Sequence, residues 1–425
     1  MDILFLLWRL AEISFSFIIH LIRLVVRLGI RTLLDRKPKL NRLLGDFIAE
    51  LLESLGATFI KIGQILSSRP DLLPSEIIAS LTRLQDRVAP FNTRRIPGLI
   101  QEAFGRSINE IFESFDYKPI SSASVAHVHW ARLKDGTEVA VKIRRPGLLR
   151  KVKNDLLIIK SFAKTLDLFP IMRLIPLTGL VAEFSKSIEL QLDFTIEANN
   201  NQLFHKNFAE VKNIIFPKLI NELCTDSVLV MEFLNGLMKV SEVDFTPMQR
   251  KTSAIASVRA LYKMIFIDGF IHADLHPGNI YFREGGECVI LDLGMVASLN
   301  GSDLKDFVDF FLGMVINNGK NCARVVYDTA TYRAKDCDRQ KFEAGIVQLI
   351  NEHSSKTARE FEVTSFAVQL FNIQRQFGIR GSTNFTMAIL SLAVFEGIVK
   401  QLQADLDFQG EARSFIFHAL QKSAC

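Results

Sequence analysis

The chain has 425 residues, enough for two or three average domains or for one large two-lobed domain with extensions. Charged residues make up 23% and hydrophobic residues 48%, which provides a sizeable core and excludes a globally disordered chain. The net charge of +5 suits anionic partners such as nucleotides or acidic lipids, and the absence of a nucleic-acid-binding motif argues against nucleic acid. The five cysteines form no CxxC pair, which argues against a disulfide framework or a zinc site and favours a reducing compartment.

The pattern of charged and apolar residues over 1–34 predicts an amphipathic helix. Arg23, Arg27 and Arg31 recur every four residues and form one basic stripe, which His20 extends, while apolar residues fill the other faces. Charges interrupt every window of about 18 residues, which argues against a membrane-spanning helix. We therefore expect this helix to lie on a membrane surface with its arginines on anionic lipid. Packing against the protein's own body is the alternative, followed by a spanning anchor.

The next segment predicts a helical extension. Apolar residues at steps of three and four predict helices over 39–88, with a break near residues 67–74. A second break at 90–97 precedes a short predicted helix over 97–115.

The pattern changes at residue 117, where small residues and apolar–polar alternation begin. With the Asp135-Gly136 turn, this alternation predicts a β-hairpin. The later predicted elements are helices over 150–210, strands at 214–220 and 228–233, and mostly helix from about 245 to the end, with a β-like interruption at 279–297.

This order of elements predicts an α+β protein with a two-lobed protein-kinase-like fold, a helical N-terminal extension and a mostly helical large lobe. The predicted divisions are an amphipathic helix at 1–34, a helical extension at 35–115, a small lobe with a helical insertion at 116–240 and a helical large lobe at 241–425.

The most informative stretch is FIHADLHPGNIYFREGGECVILDLGMV, residues 270–296. It has H-A-D ending at Asp274, Asn279 five positions later, and D-L-G beginning at Asp292 thirteen further on. Kinases use H-R-D-x-x-x-x-N followed by a strand pair and D-F-G. There the first Asp orients or deprotonates the attacking hydroxyl, and the Asn and second Asp hold Mg²⁺ on the phosphates of ATP. We expect Asp274 to be catalytic, and Asn279 and Asp292 to bind the metal.

The same stretch allows a different interpretation, a metal site in which His272, Asp274 and His276 alternate like ligands. The six histidines elsewhere in the chain share no ligand spacing. The kinase-like interpretation is therefore favoured.

Lys142 lies in the second strand of the predicted hairpin, within V-A-V-K-I. A lysine in an apolar strand is rarely buried without a partner. In kinases such a lysine pairs with the nucleotide phosphates and with a glutamate of the small-lobe helix, and we expect Glu197 to be that glutamate. A strand-edge lysine that reaches solvent is the alternative.

The loop before this strand differs from the glycine-rich loop of ordinary kinases. It reads Ser121-Ser122-Ala123-Ser124-Val125-Ala126-His127. Small side chains let backbone amides approach phosphate, though less freely than glycine does. We expect nucleotide contacts from Ala123, Ser124, Val125 and Ala126.

Together these residues resemble the UbiB/AarF family of atypical protein-kinase-like proteins over about residues 55–400. The motifs that carry the resemblance are K-x-G-Q at Lys61–Gln64, the small-residue loop at 121–126, Lys142, and H-x-D-x-H-P-G-N from His272 to Asn279. The resemblance implies that the helical extension packs over the active site, where Lys61 and Gln64 face the nucleotide and obstruct a protein substrate. It also implies a hinge that hydrogen-bonds adenine, formed by Met231, Glu232 and Phe233.

The chain departs from the family pattern in two places. The family's E-x-D begins with Gln191 here, so either Asp193 alone or Glu189 is expected to pair with Lys61. We assign Gln191 and Asp193, like the K-x-G-Q residues, a regulatory role. His127 stands where the family usually has glutamine, which bears on nucleotide preference.

The resemblance implies ATP hydrolysis with Mg²⁺, tied to isoprenoid-quinone (ubiquinone-type) synthesis or lipid handling. The expected location is peripheral, at the cytoplasmic face of a membrane, or the cytoplasm, and the expected partners are nucleotide and anionic membrane lipid or quinone-pathway components. One alternative is a nucleotide-gated scaffold with little turnover. Another is a small-molecule phosphotransferase of the aminoglycoside-kinase type, which shares D-x-H-P-G-N but lacks K-x-G-Q and the long helical front.

Overall fold

A computed structural model describes residues 3–33, 40–67, 69, 72–85, 91–167, 177–354, 361–403 and 405–424. The chain divides into two compact units: Met1–Ala198 with Leu219–Phe233 (unit 1), and Asn199–Lys218 with Leu234–Cys425 (unit 2). Outside the described residues lie residues 1, 2 and 34 of the predicted first helix, 39 and 86–88 of the predicted extension, 68, 70, 71 and 90 of the predicted helix breaks, 168–176 of the predicted helices over 150–210, and Cys425. The side chain of Arg31 is also outside the described part of the chain.

Helices form the first part of unit 1, and a sheet with further helices forms the rest. The helices are α1 (Ile3–Leu33), α2 (Leu40–Leu55), α3 (Ala57–Ser67), α4 (Ser75–Thr82), α5 (Ile96–Phe104) and α6 (Ile108–Ile111). Next come β1 (Phe112–Phe115), β2 (Ser121–Ser122), β3 (Ala126–Leu133), β4 (Glu138–Arg144), α7 (Leu148–Leu166), α8 (Leu177–Gln191), the start of α9 (Phe194–Asn207) and, after β5 (Ile214–Ile215) of unit 2, β6 (Val228–Glu232). The prediction of a helix over 97–115 is wrong at its end, because Phe112–Phe115 pairs with β3 as a strand.

The sheet of unit 1 is antiparallel, in the order β1-β3-β4-β6, and β2 also pairs with β3. The predicted hairpin is present as β3 and β4, and Gly136 supplies the positive φ of +86° that its turn requires. Side chains alternate along β4, so that Val139 and Val141 pack into a core with Ile96 and Ile100 of α5. Ala140 and Lys142 therefore lie on the other face of β4.

Unit 2 contains mostly helices and three small sheets within its described residues. After β5 come α10 (Pro247–Tyr262), β7 (Phe270–His272), β8 (Ile280–Phe282), β9 (Cys288–Ile290), β10 (Val296–Ser298), α11 (Ser302–Val315), α12 (Gly319–Asp328), β11 (Tyr332–Arg333), α13 (Arg339–Ser354), α14 (Val363–Gln376), β12 (Ile379–Arg380), α15 (Thr383–Leu402) and α16 (Phe408–Ala424). The strand orders are β5-β9-β8, β10-β7 and β11-β12. The structure has the α+β composition that the sequence predicts.

Local sequence explains how α10 starts and how the chain then turns into β7. Thr246 and Gln249 form a reciprocal capping box, and Pro247 occupies the first turn of α10, where a missing N–H costs nothing. After α10 a π-helical turn, Lys263–Asp268, is closed by an ion pair between the Lys263 Nζ and the Asp268 Oδ1 at 2.6 Å. Gly269 follows with φ +59°, where a Cβ would lie 2.3 Å from the Leu299 carbonyl oxygen. Only glycine fits this turn.

Helix α1 is held to the rest of unit 1 by a buried arginine. The Arg9 side chain is 1% exposed and donates from Nε to Oδ1 of Asp155, a fully buried residue of α7, at 2.7 Å. It also donates to the Leu55 carbonyl oxygen and to Glu12. A buried arginine is stable only when its donors are satisfied in this way. The pair therefore fixes the rotation of α1 about its own axis.

The prediction that the basic stripe of α1 faces lipid is wrong for two of its members. Arg27 donates to the Glu50 carboxylate of α2 at 2.9 Å, and His20 is buried. The polar edge of α1 thus packs against the protein's own helices, which was the alternative to a lipid-facing stripe. Arg23 of the same stripe is exposed.

Two described helices have the length and composition of membrane spans, Phe5–Ile30 near the N-terminus and Thr383–Leu402. The second is mostly buried within unit 2, which is the usual position of a core helix. The first is largely exposed, so the two helices occupy different environments.

We expect Arg9→Met to destabilise the protein by about 3–5 kcal/mol, because it leaves the Asp155 carboxylate buried without its cation. Chemical denaturation of the variant and the parent measures the change. Arg9→Met combined with Asp155→Leu removes both charges and should recover most of the loss. If the double variant is as unstable as the single one, the ion pair is not what stabilises α1.

Candidate functional site

Lys142 and Glu197 form a buried ion pair in unit 1. The β3–β4–β6 register places Lys142 on the sheet face that carries Leu229, opposite the face packed on α5. Its Nζ lies 2.9 and 2.8 Å from the two carboxylate oxygens of Glu197, in the first turn of α9, and 5.4 Å from the centre of the Phe194 ring. The two side chains are 11% and 7% exposed. The predicted partner thus holds the ammonium in one position.

The loop predicted to contact nucleotide turns tightly between β2 and β3. The Ala123 amide donates to the Ala126 carbonyl oxygen at 2.9 Å and closes the turn. Within the described part of the chain, the amides of Ser124 and Val125 donate to no other protein atom. Two adjacent amides without acceptors are the kind of group that binds phosphate oxygens.

Arg145, which the sequence analysis did not select, supports this loop from the end of β4. Its Nε donates to the Ala123 carbonyl oxygen at 3.0 Å, its Nη2 to the Ser122 hydroxyl at 3.2 Å, and its amide to the Val125 carbonyl oxygen at 2.9 Å. Burial lowers the pKa of its guanidinium from its ordinary value. In the sequence, Arg145 stands two residues after the V-A-V-K-I run and directly before Pro-Gly, and this position was the pattern from which it could have been selected.

His127 does not lie on the Lys142 face of the sheet. It pairs with Ile143 in register, is fully buried, and its Nε2 accepts the Phe91 amide at 3.1 Å. Burial, with Arg145 and His129 nearby, lowers the pKa of His127 to about 4. His127 is therefore a neutral structural residue, and the expected link to nucleotide preference has no support in its position.

The K-x-G-Q residues lie on α3, three residues apart and so on one side of the helix. Gln64 donates from Nε2 to the Leu84 carbonyl oxygen at 2.9 Å, and its Oε1 accepts the Ser124 hydroxyl at 3.4 Å. Gly63 between them packs closely, since a Cβ there would lie 2.4 Å from the Leu84 Cδ1 and the leucine side chain would have to shift. Gln64 therefore contacts the tip of the small-residue loop.

The ion pair expected for Lys61 is absent from the described residues, where Lys61 is half-buried and forms no ion pair. The Oδ1 of Asp193 instead accepts the Thr195 amide at 3.0 Å and the Thr195 hydroxyl at 2.6 Å, which caps α9. Glu189 lies 3.8 Å from the ammonium of Lys160. Capping of α9 is therefore sufficient to explain an aspartate at position 193. Gln191 is the last residue of α8.

The predicted hinge lies at the end of β6. Met231 pairs with Ala140, and Glu232 pairs with Val139 on β4. The Phe233 amide donates to the Glu138 carbonyl oxygen at 3.0 Å. These residues end the edge strand of the sheet.

In unit 2 the predicted catalytic loop follows β7 and is held by His272. The Nδ1 of His272 accepts the Asp274 amide at 3.2 Å, and its Nε2 contacts the Leu291 carbonyl oxygen at 3.2 Å. Burial lowers the pKa of His272, which keeps the ring neutral with one nitrogen accepting and the other donating. The ring thereby connects the start of the loop to the strand that leads into Asp292.

Asp274, Asn279 and Asp292 are brought together by backbone hydrogen bonds. Asn279 is buried, and its Nδ2 donates to the Asp274 carbonyl oxygen at 3.0 Å, while the Leu291 amide donates to the Asn279 carbonyl oxygen at 2.9 Å. The Oδ1 of Asn279 accepts no hydrogen bond from another described residue. The Asp274 carboxylate accepts no hydrogen bond from another described residue.

Asp292 has an unusual backbone conformation. Its φ is +57°, a left-handed value that Asp adopts rarely and that is enriched at functional sites. The strand before it, Cys288–Ile290, is fully buried and fixes the position of the turn. Aspartate and asparagine oxygens are suitable ligands for Mg²⁺.

The alternative of a histidine metal site is not supported. Both ring nitrogens of His272 are used by backbone groups, and the Nδ1 of His276 accepts the Gly278 amide at 3.1 Å. No group of three or more His, Cys, Asp and Glu side chains suited to a metal occurs in the described ranges.

Comparison with known proteins gives matches over most of the chain. Residues 83–326 match the ABC1 atypical kinase-like domain. The chain is 33% identical over 392 residues to the "Probable protein kinase UbiB" of Pseudomonas putida (strain GB-1), covering 90% of this chain and 72% of the relative. It is 32% identical over 417 residues to the protein of the same name from Pseudomonas fluorescens (strain SBW25), covering 96% and 78%.

A solved structure supports the fold. The complex of Rv3197 with erythromycin from Mycobacterium tuberculosis aligns with a TM-score of 0.56 and 21% identity, covering 84% of this chain and 91% of the other. The kinase-like fold predicted from the sequence is confirmed. With the domain match and the identity to the Pseudomonas proteins, it follows that this chain belongs to the ABC1 family of atypical kinase-like proteins, among relatives named UbiB.

Proposed function

We propose that this protein binds MgATP and transfers its γ-phosphoryl group, to water or to a small acceptor. The Lys142–Glu197 ion pair is the observation that carries the proposal, because a buried lysine held by both oxygens of a helix glutamate is the arrangement that kinases use to grip phosphates. The loop amides of Ser124 and Val125 supply further phosphate ligands. Met231, Glu232 and Phe233 supply the adenine hinge.

The metal and the chemistry are assigned to the loop of unit 2. The Oδ1 of Asn279 and the carboxylate of Asp292 are the oxygen ligands that suit Mg²⁺, and the bound metal neutralises charge on the phosphates. The carboxylate of Asp274 has no hydrogen-bond donor among the described residues, so it can accept one from the attacking hydroxyl. His272 keeps that loop in place without taking part in proton transfer.

The acceptor in this proposal is not a protein. Gln64 of α3 accepts the hydroxyl of Ser124 at the tip of the small-residue loop. A helix in this position favours water or a small lipid-like acceptor over a polypeptide, with Lys61, Gln64, Gln191 and Asp193 in the regulatory role. The family resemblance supports an activity in quinone synthesis or lipid handling, and the proposed location is the cytoplasmic face of a membrane or the cytoplasm.

The proposal is tested by phosphate release from ATP by the purified protein, with and without liposomes and a quinone-headgroup mimic. Asp274→Asn should reduce kcat by about 10²- to 10⁴-fold, because the attacking hydroxyl loses its acceptor, while ATP affinity changes little. Asp244→Asn, an exposed aspartate of the same unit, is the matched control. Equal turnover by Asp274→Asn and the parent removes Asp274 from the mechanism. ATP binding without turnover in the parent indicates a nucleotide-gated scaffold.

Lys142→Ala should weaken MgATP binding roughly 10- to 100-fold, since a charged hydrogen bond to phosphate is worth about 1.5–3 kcal/mol. Calorimetry or a fluorescent nucleotide measures the affinity. Lys134→Ala, in the exposed β3–β4 turn, should leave it unchanged. Glu197 becomes an unpaired buried carboxylate in the variant, so Lys142→Ala combined with Glu197→Gln is needed to separate binding from stability. Parent-like affinity in both variants contradicts the assignment.

Arg145→Ala should raise the KM for ATP about three- to tenfold with little change in kcat, because it releases two side-chain hydrogen bonds that hold the phosphate loop. Steady-state kinetics at varied ATP separates the two constants. Arg132→Ala, whose side chain pairs with Glu138 near the hairpin turn, is the control. An unchanged KM with a reduced melting temperature means that Arg145 is only structural.

A further inference from the structure

Helix α1 places its polar side against the rest of unit 1. Arg9 pairs with Asp155, the Ser16 hydroxyl lies 2.6 Å from the Ser54 hydroxyl, and Arg27 pairs with Glu50. At about 100° per residue these α1 side chains fall on one narrow edge of the helix. The contacts extend from Arg9 to Arg27, so the helix lies along the protein over most of its length.

The remaining surface of α1 is apolar and exposed. Eleven of the 23 large apolar side chains exposed in the described residues belong to this helix: Leu7, Trp8, Leu10, Phe15, Phe17, Ile18, Leu21, Ile22, Val25, Val26 and Ile30. At the same helical step they cover more than half of the helix circumference. We call this surface the apolar arc. An apolar surface of this extent on a water-soluble protein marks an interaction site.

Lipid acyl chains are the occupant that fits the apolar arc. A second helix would cover only a stripe about 100° wide, and much of the arc would stay in water. The arc also has the length of a 26-residue apolar segment, Phe5–Ile30, continuous along the helix. A fluid hydrocarbon layer covers such a broad, featureless surface without requiring a complementary shape.

The same contacts determine how the helix meets the bilayer. If α1 crossed the membrane, the carboxylates of Asp155 and Glu50 that bind its polar edge would enter the hydrocarbon with it. Transfer of charged groups into the hydrocarbon is energetically unfavourable. A helix lying parallel to the surface keeps its polar edge on the protein and its arc in the acyl layer, about 5–10 Å deep.

We propose that α1 is an in-plane membrane helix that attaches unit 1 to lipid through its apolar arc, while Arg9 and Arg27 bind protein carboxylates instead of headgroups. This deepens the membrane location within the proposed function, and it does not depend on phosphoryl transfer. Because the attachment is apolar, it needs no anionic lipid and resists salt, unlike the binding of a polybasic segment.

Vesicle flotation of the full chain tests the attachment. The protein should float equally with phosphatidylcholine vesicles and with vesicles that also contain phosphatidylserine, and should remain bound at about 1 M salt, where the screening length is about 3 Å. Phe15→Glu combined with Ile22→Glu, at positions 68% and 57% exposed, should reduce the floated fraction at least tenfold. Val315→Glu combined with Phe417→Glu, equally exposed in unit 2, should not, and neither should Arg23→Gln.

The outcomes separate the alternatives. Flotation that requires anionic lipid and is lost in salt, or parent-like flotation of Phe15→Glu with Ile22→Glu, overturns the proposal. A concentration-dependent dimer that this double variant abolishes, without vesicle binding by the parent, identifies a second copy as the occupant. Asp274→Asn should float like the parent, so a failed attachment and a failed activity are distinguished.

Quenching by brominated lipids tests the in-plane orientation. Trp8 is exposed on the arc, and Trp130 is the other tryptophan of the chain. Trp130→Phe isolates Trp8, and Trp8→Phe with Trp130→Phe and Phe15→Trp reports a position further along the helix. At about 100° per residue, positions 8 and 15 lie about 20° apart around the helix, so an in-plane helix gives the same shallow quenching depth at both. A depth at position 15 clearly nearer the bilayer centre than at position 8 shows a spanning helix and overturns the orientation.

Discussion

The ion pair between Lys142 and Glu197 is the constraint on which the architecture of unit 1 depends. Removing both charges from water is unfavourable, and the pair is tolerated because each carboxylate oxygen lies within 2.9 Å of the ammonium. That geometry requires the β4 register that points Lys142 toward α9, and the Asp193 cap that starts α9 at the right residue. In the proposed function, an anionic ligand would meet a cation that is already dehydrated and oriented, so little reorganisation would accompany binding.

In unit 2 the predicted catalytic loop is held by hydrogen bonds to the backbone and not by a buried ion pair. The loop that carries Asp274 and Asn279 is fixed by hydrogen bonds between backbone groups and the side chains of His272 and Asn279. The neutral ring of His272 connects two segments that are far apart in sequence, and the left-handed backbone of Asp292 turns the chain immediately after a buried strand. A backbone held in place in this way is the arrangement expected of residues that bind a metal and a reacting group.

The sequence predicted the local parts of the site because the chemistry there depends on short spacings. Asp274, Asn279 and Asp292 lie on one loop and one hairpin, so a motif finds them. Glu197 is 55 residues from Lys142, and helical periodicity with the family resemblance was enough to select it. Arg145 was missed because its partners are backbone carbonyl oxygens and a serine hydroxyl, which leave no charge pattern in the sequence.

The predictions that were wrong depended on contacts between distant parts of the sequence. A helical pattern gives the relative positions of the polar and apolar faces of α1, but it does not show which face packs against the protein. The arginines of α1 pair with Asp155 and Glu50, which are distant from them in sequence. Asp193 was expected to pair with Lys61, but an aspartate directly before a helix can also accept a backbone N–H of the first turn and cap the helix. The Thr195 amide donates to Asp193 in this way, and the sequence analysis did not consider that competing interaction. Strand β1 was taken for helix because its Phe112–Phe115 segment is too short to show a period.

The π-helical turn at Lys263–Asp268 has a consequence for how this family can diverge. A π turn contains one residue more than the α-helical turn it replaces, so it is a place where a single-residue insertion has been accommodated or a deletion can be absorbed. The next residue, Gly269, tolerates no side chain, and β7 begins immediately after it. Length variation in homologues should therefore collect in the helix before the turn, upstream of Gly269, while the junction between Gly269 and β7 keeps its length.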